Sequence, residues 1–269
     1  MTPPSPVPRF ADRSGPADFF QGLALVFRAW SLIFRTPRLL GLSALCALVT
    51  LVALVGLFVL LGMYAPELLG ALWARPEPWY GRVLWYLVLV LMGLVLLVVG
   101  ANVVLPLVLA PLQDPLSEIT EEACGDFTSP PFRLGPFLGG LATSVAHTLA
   151  RIFFLLLGLA VLFPLNLVPV VGSVAWTVLG TLWTMLWLAG EHLAAPMTRH
   201  SYPFAEVRRA LRQLWPLCLG FGAGVYVLLW VPLLNSFFLP VAVVGGTLLY
   251  RGLRAVGNVP PPPSARPGK

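Results

Sequence analysis

The chain has 269 residues, of which 58% are hydrophobic and only 10% are charged. Soluble domains carry roughly 25% charged residues, so this composition excludes an ordinary water-exposed surface and favours a surface that faces lipid. The formal net charge of +6 fits basic loops on the cytoplasmic side of a membrane, and no nucleic-acid-binding pattern accompanies it.

The N-terminal segment, residues 1–16, is rich in proline and polar side chains and has no continuous apolar stretch. It predicts a disordered tail rather than a signal peptide. Residues 17–35 then place polar and small side chains at steps of three and four, on one stripe of an otherwise apolar helix. This pattern predicts an amphipathic helix that lies in the membrane interface. The stripe consists of Gln21, Ala24, Arg28, Ser31 and Arg35.

Two long uncharged runs follow, residues 39–63 and 83–110. A helix needs about 20 residues to cross a hydrocarbon core of roughly 30 Å, so each run predicts a transmembrane helix. The loop between them, 64–82, carries Trp73 and Trp79, and tryptophans are typical anchors at a membrane interface.

Residues 113–125 change character and predict a separate short amphipathic helix outside the membrane core. Asp114 is placed to cap its N-terminus, Pro115 suits the first turn, and Gly125 suits the stop. Its acidic side chains form either a solvated face or a metal site, although no partner histidine is near in sequence. These acidic residues are Glu118, Glu121 and Glu122.

Two later apolar segments contain limbs that are too short to cross the membrane. Residues 152–163 extend over only about 18 Å as a helix, against a hydrocarbon core of roughly 30 Å. An uncharged turn follows at 164–172, and residues 173–190 lead back. Each such segment predicts a re-entrant helical hairpin that enters and leaves from one side. The second hairpin has limbs 216–231 and 241–250 around an uncharged turn at 232–240.

The two hairpin turns resemble each other and place Asn166 and Asn235 at their tips. Non-helical backbone at membrane depth has to be buried in protein or to line a wet cavity. Paired, proline-interrupted short segments of this kind point to a transport site. Asn166 and Asn235 are therefore candidate substrate-binding residues, and the alternative is that each amide only satisfies its own turn.

An amphipathic helix between the hairpins, within 201–215, carries Arg208, Arg209 and Arg212. Arg208 and Arg212 are like charges four residues apart, which is mildly unfavourable on a helix. A bound anion would relieve this repulsion. Two anions are open candidates, the phosphates of lipid headgroups and an oxyanion substrate.

Charge also predicts the topology. With two full spans and two hairpins from the same side, only Arg75 and Arg82 among the basic residues lie on the other side. The positive-inside rule then places both termini in the cytoplasm. The membrane domain is predicted to cover 17–254, and 255–269 to form a second disordered tail.

Catalytic patterns are not found in the sequence, which predicts that the chain is not an enzyme and needs no cofactor or metal. The three cysteines are scattered and argue against a disulfide framework. Glu191 and His192 could relay protons, or they could form a structural pair at a membrane boundary. His147 and His200 are isolated in sequence, which predicts simple packing roles.

Several segments together resemble the CysZ family of bacterial sulfate permeases, within the wider etoposide-induced protein superfamily. The chain carries Phe20 and Gly22 near the start, the pattern AP-x(4)-L-x-E at 110–118, and LGFG at 219–222. The longest segment that resembles the family pattern is VPLLNSFFLPVAVVGGT at 231–247. The resemblance runs from about residue 18 to 251.

The resemblance implies a sulfate permease of the bacterial inner membrane that feeds cysteine biosynthesis, and it implies a homo-oligomer in contact with the lipid bilayer. It implies a substrate site near Gly22, with Arg28 replacing the basic residue that sulfate-handling relatives carry at the position of Ala24. Arg208, Arg209 and Arg212 would supply further guanidinium groups, which match oxyanions with two hydrogen bonds.

A second hypothesis is a non-transporting scaffold or an envelope- or lipid-associated protein of the same superfamily. In that case the arginine-rich faces would bind lipid headgroups. The alanine at position 24 favours this alternative.

Overall fold

The computed structural model describes residues 7–8, 10, 15–125, 149, 153, 155–200, 202–229 and 238–261. In these ranges the regular structure is helical, which confirms the predicted all-α class. The helices are α1 (Pro16–Arg35), α2 (Pro37–Leu72), α3 (Trp79–Ala123), α4 (Leu155–Leu167), α5 (Val171–Arg199), α6 (Phe204–Gln213), α7 (Trp215–Leu229) and α8 (Leu239–Ala255). The last five residues of α4, Phe163–Leu167, form a 3₁₀ turn.

Helices α2 and α3 form an antiparallel pair that contains both predicted transmembrane runs. The Trp85 indole donates a hydrogen bond to the Trp73 carbonyl at one end, 3.0 Å away. At the other end Arg38 pairs with Glu122, also at 3.0 Å. Apolar side chains cover the outer surface of both helices, as expected where lipid rather than water is the solvent.

Four of the helices that the structure describes are long and apolar enough to cross a membrane. The two predicted spans are among them, as α2 and as the Trp79–Leu109 part of α3. The others are α1 and α5. The length of α1 therefore also permits a span, and its position in the interface stays a prediction.

The predicted separate helix at 113–125 is wrong, because α3 runs unbroken to Ala123. Asp114 lies inside the helix and caps nothing. A continuous stripe of buried side chains, with Leu109 and Leu116 fully buried, packs α3 on the core across this point. That packing outweighs the hydrogen bonds lost at prolines such as Pro115. The predicted stop is confirmed, since Gly125 follows the helix end with φ +92°.

Helix α8 forms the centre of the bundle. Every residue from Pro240 to Leu253 is buried, and α8 packs against α1, α3 and α5. A helix buried all round has to approach its neighbours closely, which small residues permit. Gly246 illustrates this, because an added Cβ would lie 2.6 Å from the His192 carbonyl oxygen on α5.

The hairpin limbs differ in length from their predicted bounds. Helix α5 continues past residue 190 to Arg199 because Leu193 and Met197 remain core-facing. Helix α8 starts at Leu239 and continues to Ala255. Helices α7 and α8 have few contacts with each other and pack mainly on α1 and α5. Most of the second turn, 230–237, lies outside the described residues.

Parts of both chain ends pack against the C-terminal end of α8. The Phe10 ring lies where a Cβ on Gly252 would be, and Val259 is buried. The Tyr202 hydroxyl donates a hydrogen bond to the Pro260 carbonyl. These segments therefore cover one end of the bundle.

Candidate functional site

The site residues proposed from the sequence lie in different parts of the structure. Gly22 is buried on α1, and Arg28 is exposed on the same helix. Asn166 is exposed in the 3₁₀ turn, and Asn235 lies outside the described residues. The three arginines of α6 are exposed, namely Arg208, Arg209 and Arg212.

The helices that carry the described candidates do not all pack on one another. Helix α6 packs on α5 and α7, whereas α1 packs on α7, α8 and α2. Arg28 and the α6 arginines therefore lie on helices without extensive mutual packing. The space beside Gly22 is filled by α7, since an added Cβ at Gly22 would lie 2.0 Å from the Leu217 carbonyl oxygen.

The structure instead brings charged groups together where the C-terminal ends of α3, α5 and α8 meet. Arg199 Nη2 donates to Glu121 Oε1 at 2.6 Å. His200 Nε2 lies 2.8 Å from Glu121 Oε2. The hydroxyl oxygens of Ser117 and Thr247 lie 2.8 Å apart beside them. We call Ser117, Glu121, Arg199, His200 and Thr247 the charge cluster.

Glu121 is the acceptor at the centre of the charge cluster, and its side chain is 1% exposed. Burial alone would raise the pKa of this carboxyl, but the hydrogen bond from His200 and the charge of Arg199 lower it below its ordinary value. An ionised Glu121 accepts both contacts, and His200 Nε2 is then the donor to Oε2. In contrast, burial raises the pKa of the neighbouring Glu118.

Arg199 is held from several directions. Besides Glu121, its Nη2 donates to Ser117 Oγ at 3.1 Å, and its Nη1 donates to the Asp114 carbonyl at 3.3 Å. Arg199 also lies in the last turn of α5, where the helix dipole favours a positive charge. The guanidinium is thus fixed between two helix ends.

Aromatic rings cover the charge cluster on the side of α8. The His200 ring stacks on the Tyr250 ring, with centroids 5.6 Å apart. The Tyr202 ring meets the Tyr250 ring edge-on, with centroids 6.2 Å apart. Arg251, the next residue of α8, is buried as well. Glu121 is thus shielded from water, while Arg199 and His200 stay partly exposed, and shielding of the carboxylate strengthens its electrostatic interactions.

Sequence reasoning missed this cluster. Glu121 was expected on a solvated face, which is wrong. His200 was expected to have a packing role, and besides stacking on Tyr250 it contacts Glu121. One signal in the sequence could have indicated Glu121, since it follows Leu116 and Thr120 on the buried stripe of α3. As for the metal alternative, no group of three metal-ligating side chains occurs among the residues that the structure describes.

Comparison with known proteins gives the family. The profile of the family described as Sulfate transporter CysZ/Etoposide-induced protein 2.4 matches residues 25–240. The chain belongs to this family. The resemblance noted in the sequence is thereby confirmed.

Curated relatives in this family are named Sulfate transporter CysZ. One from Pseudomonas fluorescens strain Pf-5 is 32% identical over 158 residues, covering 57% of this chain and 62% of the relative. One from Pseudomonas aeruginosa strain PAO1 is 30% identical over 165 residues, covering 60% and 65%. One from Vibrio parahaemolyticus is 35% identical over 89 residues, covering 33% and 36%. The chain thus spans just under two thirds of the first relatives it matches.

These CysZ relatives are named as transport proteins rather than as enzymes, in agreement with the expected absence of catalytic function. Together with the long apolar helices, they identify the chain as a multi-pass membrane protein of a sulfate transporter family.

Proposed function

We propose that the chain is a permease for sulfate, or for a similar small oxyanion, in the bacterial cytoplasmic membrane. It would supply sulfate for assimilation and cysteine biosynthesis. Family membership and the names of the relatives support this function. The observation that carries it is the charge cluster, because two cation-bearing donors, Arg199 and His200, there meet the two oxygens of one buried carboxylate, as they would meet an oxyanion.

Charge distribution supports a route that starts from a basic surface. The exposed guanidinium groups of Arg28, Arg208, Arg209 and Arg212 would raise the local concentration of an anion near the bundle. Arg199 and His200 would then receive it in a covered site. Gly22 and the two asparagines predicted to lie at the hairpin tips, Asn166 and Asn235, stay candidate contacts on this route.

Helix α5 is long enough to cross a membrane, and it is its length relative to α3 that supports the proposed re-entrant topology. Helix α3 has 45 residues and is about 68 Å long, whereas α5 has 29 and is about 44 Å long. The two helices meet at their C-terminal ends through Glu121 and Arg199. With axes side by side, the start of α5 would therefore stop roughly 24 Å short of the start of α3. In the proposed orientation both termini are cytoplasmic.

Flux of radiolabelled sulfate into proteoliposomes tests the function. We expect uptake above that of protein-free vesicles, and competition by unlabelled sulfate. Uptake equal to that of empty vesicles, from protein shown to be folded and inserted, would contradict a permease.

One observation favours the alternative of a lipid- or envelope-associated protein. The α6 arginines are exposed, as expected for a surface that binds lipid phosphates. A strain that lacks the gene distinguishes the two functions. Reduced sulfate uptake supports the permease, whereas normal uptake with an altered envelope supports the alternative.

A further inference from the structure

We propose that the charge cluster is an oxyanion site in which the Glu121 carboxylate occupies the place of the substrate. The ligand class is a small tetrahedral oxyanion such as sulfate, which would displace Glu121 from Arg199 and His200. This inference deepens the proposed function and rests on it.

The donors around Glu121 are arranged as they would be around an oxyanion. One carboxylate oxygen accepts from Arg199 at 2.6 Å, and the other contacts His200 Nε2 at 2.8 Å. Two charge-assisted bonds to two oxygens of one anion form the usual basis of oxyanion recognition by proteins. Sulfate offers the same pair of oxygens with one more negative charge.

A chain of hydroxyl groups fixes the direction in which Arg199 points. Thr247 donates to the Val243 carbonyl at 2.9 Å, so its oxygen accepts the Ser117 hydroxyl at 2.8 Å. Ser117 in turn accepts from Arg199 Nη2 at 3.1 Å. Both hydroxyl protons are therefore committed. Ser117 and Thr247 act as positioning residues, and Arg199 and His200 are left to bind the anion.

The place of Glu121 in the fold allows the exchange. It lies three residues before Cys124, the C-cap of α3, and four before Gly125 at φ +92°. A last helical turn opens at a lower free-energy cost than a helix interior. Glu121 can thus leave the donors without any movement of the membrane-spanning part of α3.

Two of the three converging helices supply cations. Helix α8 adds Arg251 and Arg254 to the cations of α5, and α3 supplies the carboxyl groups of Asp114, Glu118 and Glu121. Glu122 points to a different partner, since it pairs with the exposed Arg38 at 3.0 Å. Glu122 is consequently a matched control, with the same side chain one position along.

Equilibrium binding of sulfate to the purified, full-length chain in detergent tests the proposal. In Glu121→Gln the competing charge is removed, and we expect sulfate to bind at least about threefold more tightly than in the wild type. In Arg199→Lys the paired geometry is lost, and binding should weaken at least about tenfold. Glu122→Gln should bind as the wild type does.

The proposal is overturned if folded Glu121→Gln binds sulfate no more tightly than the wild type. Should that variant fail to fold, Arg199→Lys and His200→Gln decide, and unchanged sulfate binding in both would overturn the proposal. Sulfate binding that follows the expected order without any flux in liposomes would instead contradict the permease. Normal flux with equal binding in Glu121→Gln and Glu122→Gln would leave the permease and reject the site.

Discussion

At the scale of single residues, Glu121 has the largest effect on the charge and the stability of the charge cluster. It is a buried carboxylate whose hydrogen-bond partners come from α5, while Glu118 and Tyr250 also face it. A carboxylate in this position is stable only while both donors remain in place, because an unpaired buried charge is costly. Its effect on stability should therefore depend on pH and on its partners.

The first prediction concerns pH. The pKa of Glu121 lies below its ordinary value of 4.5 in the folded chain, so its stabilising effect is complete above that value and is lost as the pH falls through the lower, folded pKa. We expect the melting temperature in detergent to fall on acidification below about pH 4.5. Glu121→Gln should show a smaller fall. An equal fall of melting temperature with pH in both proteins would contradict this assignment. Glu118, whose pKa is raised, is present in both proteins and so does not affect the difference between them.

The second prediction compares a buried and an exposed ion pair. Removing one partner of a buried pair costs about 3–5 kcal/mol, so Arg199→Ala should strongly lower the free energy of unfolding. The Arg38–Glu122 pair is exposed, and Arg38→Ala should cost less than about 1 kcal/mol. Unfolding followed by denaturant in micelles measures both. Similar losses would mean that the contacts of Arg199 are energetically unimportant.

At the scale of helices, α1 is held against α7 by glycines that pack directly on the backbone of the facing helix. An added Cβ on Gly22 would meet Leu217 O, and one on Gly220 would meet the Phe19 carbonyl at 1.9 Å. Neither position has room for a side chain, so the two helices approach at the minimum distance. This contact explains Gly22 structurally, whatever its part in binding sulfate.

The third prediction follows from this contact. Gly22→Ala should separate α1 from α7 and lower stability by about 1–3 kcal/mol. Gly41→Ala is the control, because nothing lies within 4 Å of its added Cβ. That change should be neutral or should stabilise α2 by up to about 1 kcal/mol. Thermal unfolding of the two variants measures the difference, and equal effects would contradict the packing role.

Sequence patterns predicted those elements whose cause is local. The uncharged runs of α2 and α3 identified the membrane spans because lipid imposes a minimum length on each helix. The end of α3 at Gly125 was also predictable from residue type. Asp114 and Pro115 led to the wrong prediction of a new helix, because these residue types suit a helix start. Only the packing of α3 on α8 shows that the helix continues through them. The pairing of Glu121 with His200 joins residues 79 positions apart, and no local pattern in one sequence encodes such a contact.

For the whole molecule, the main question is how the bundle lies in the membrane. Aromatic side chains gather around the 73–78 loop, where Arg75 lies over the Trp85 ring. The charge cluster lies at the opposite end of α3. Because few basic residues lie near the 73–78 loop, the positive-inside rule predicts an inserted orientation with this loop outside.

The fourth prediction tests that topology by thiol labelling. The three native cysteines are buried, which gives a low background. Ala74→Cys should react with a membrane-impermeant maleimide added outside intact spheroplasts, whereas Val168→Cys, in the first hairpin turn, should not. Labelling of both positions from outside would mean that the first hairpin crosses the membrane.

The most direct measurement of the central claim is initial sulfate uptake into proteoliposomes containing wild type, Arg199→Lys or Glu122→Gln in equal amounts. The account predicts uptake by the wild type and Glu122→Gln at similar rates, and a loss of at least about tenfold in Arg199→Lys. Equal uptake by all three proteins would contradict a role for the buried cluster in moving the anion.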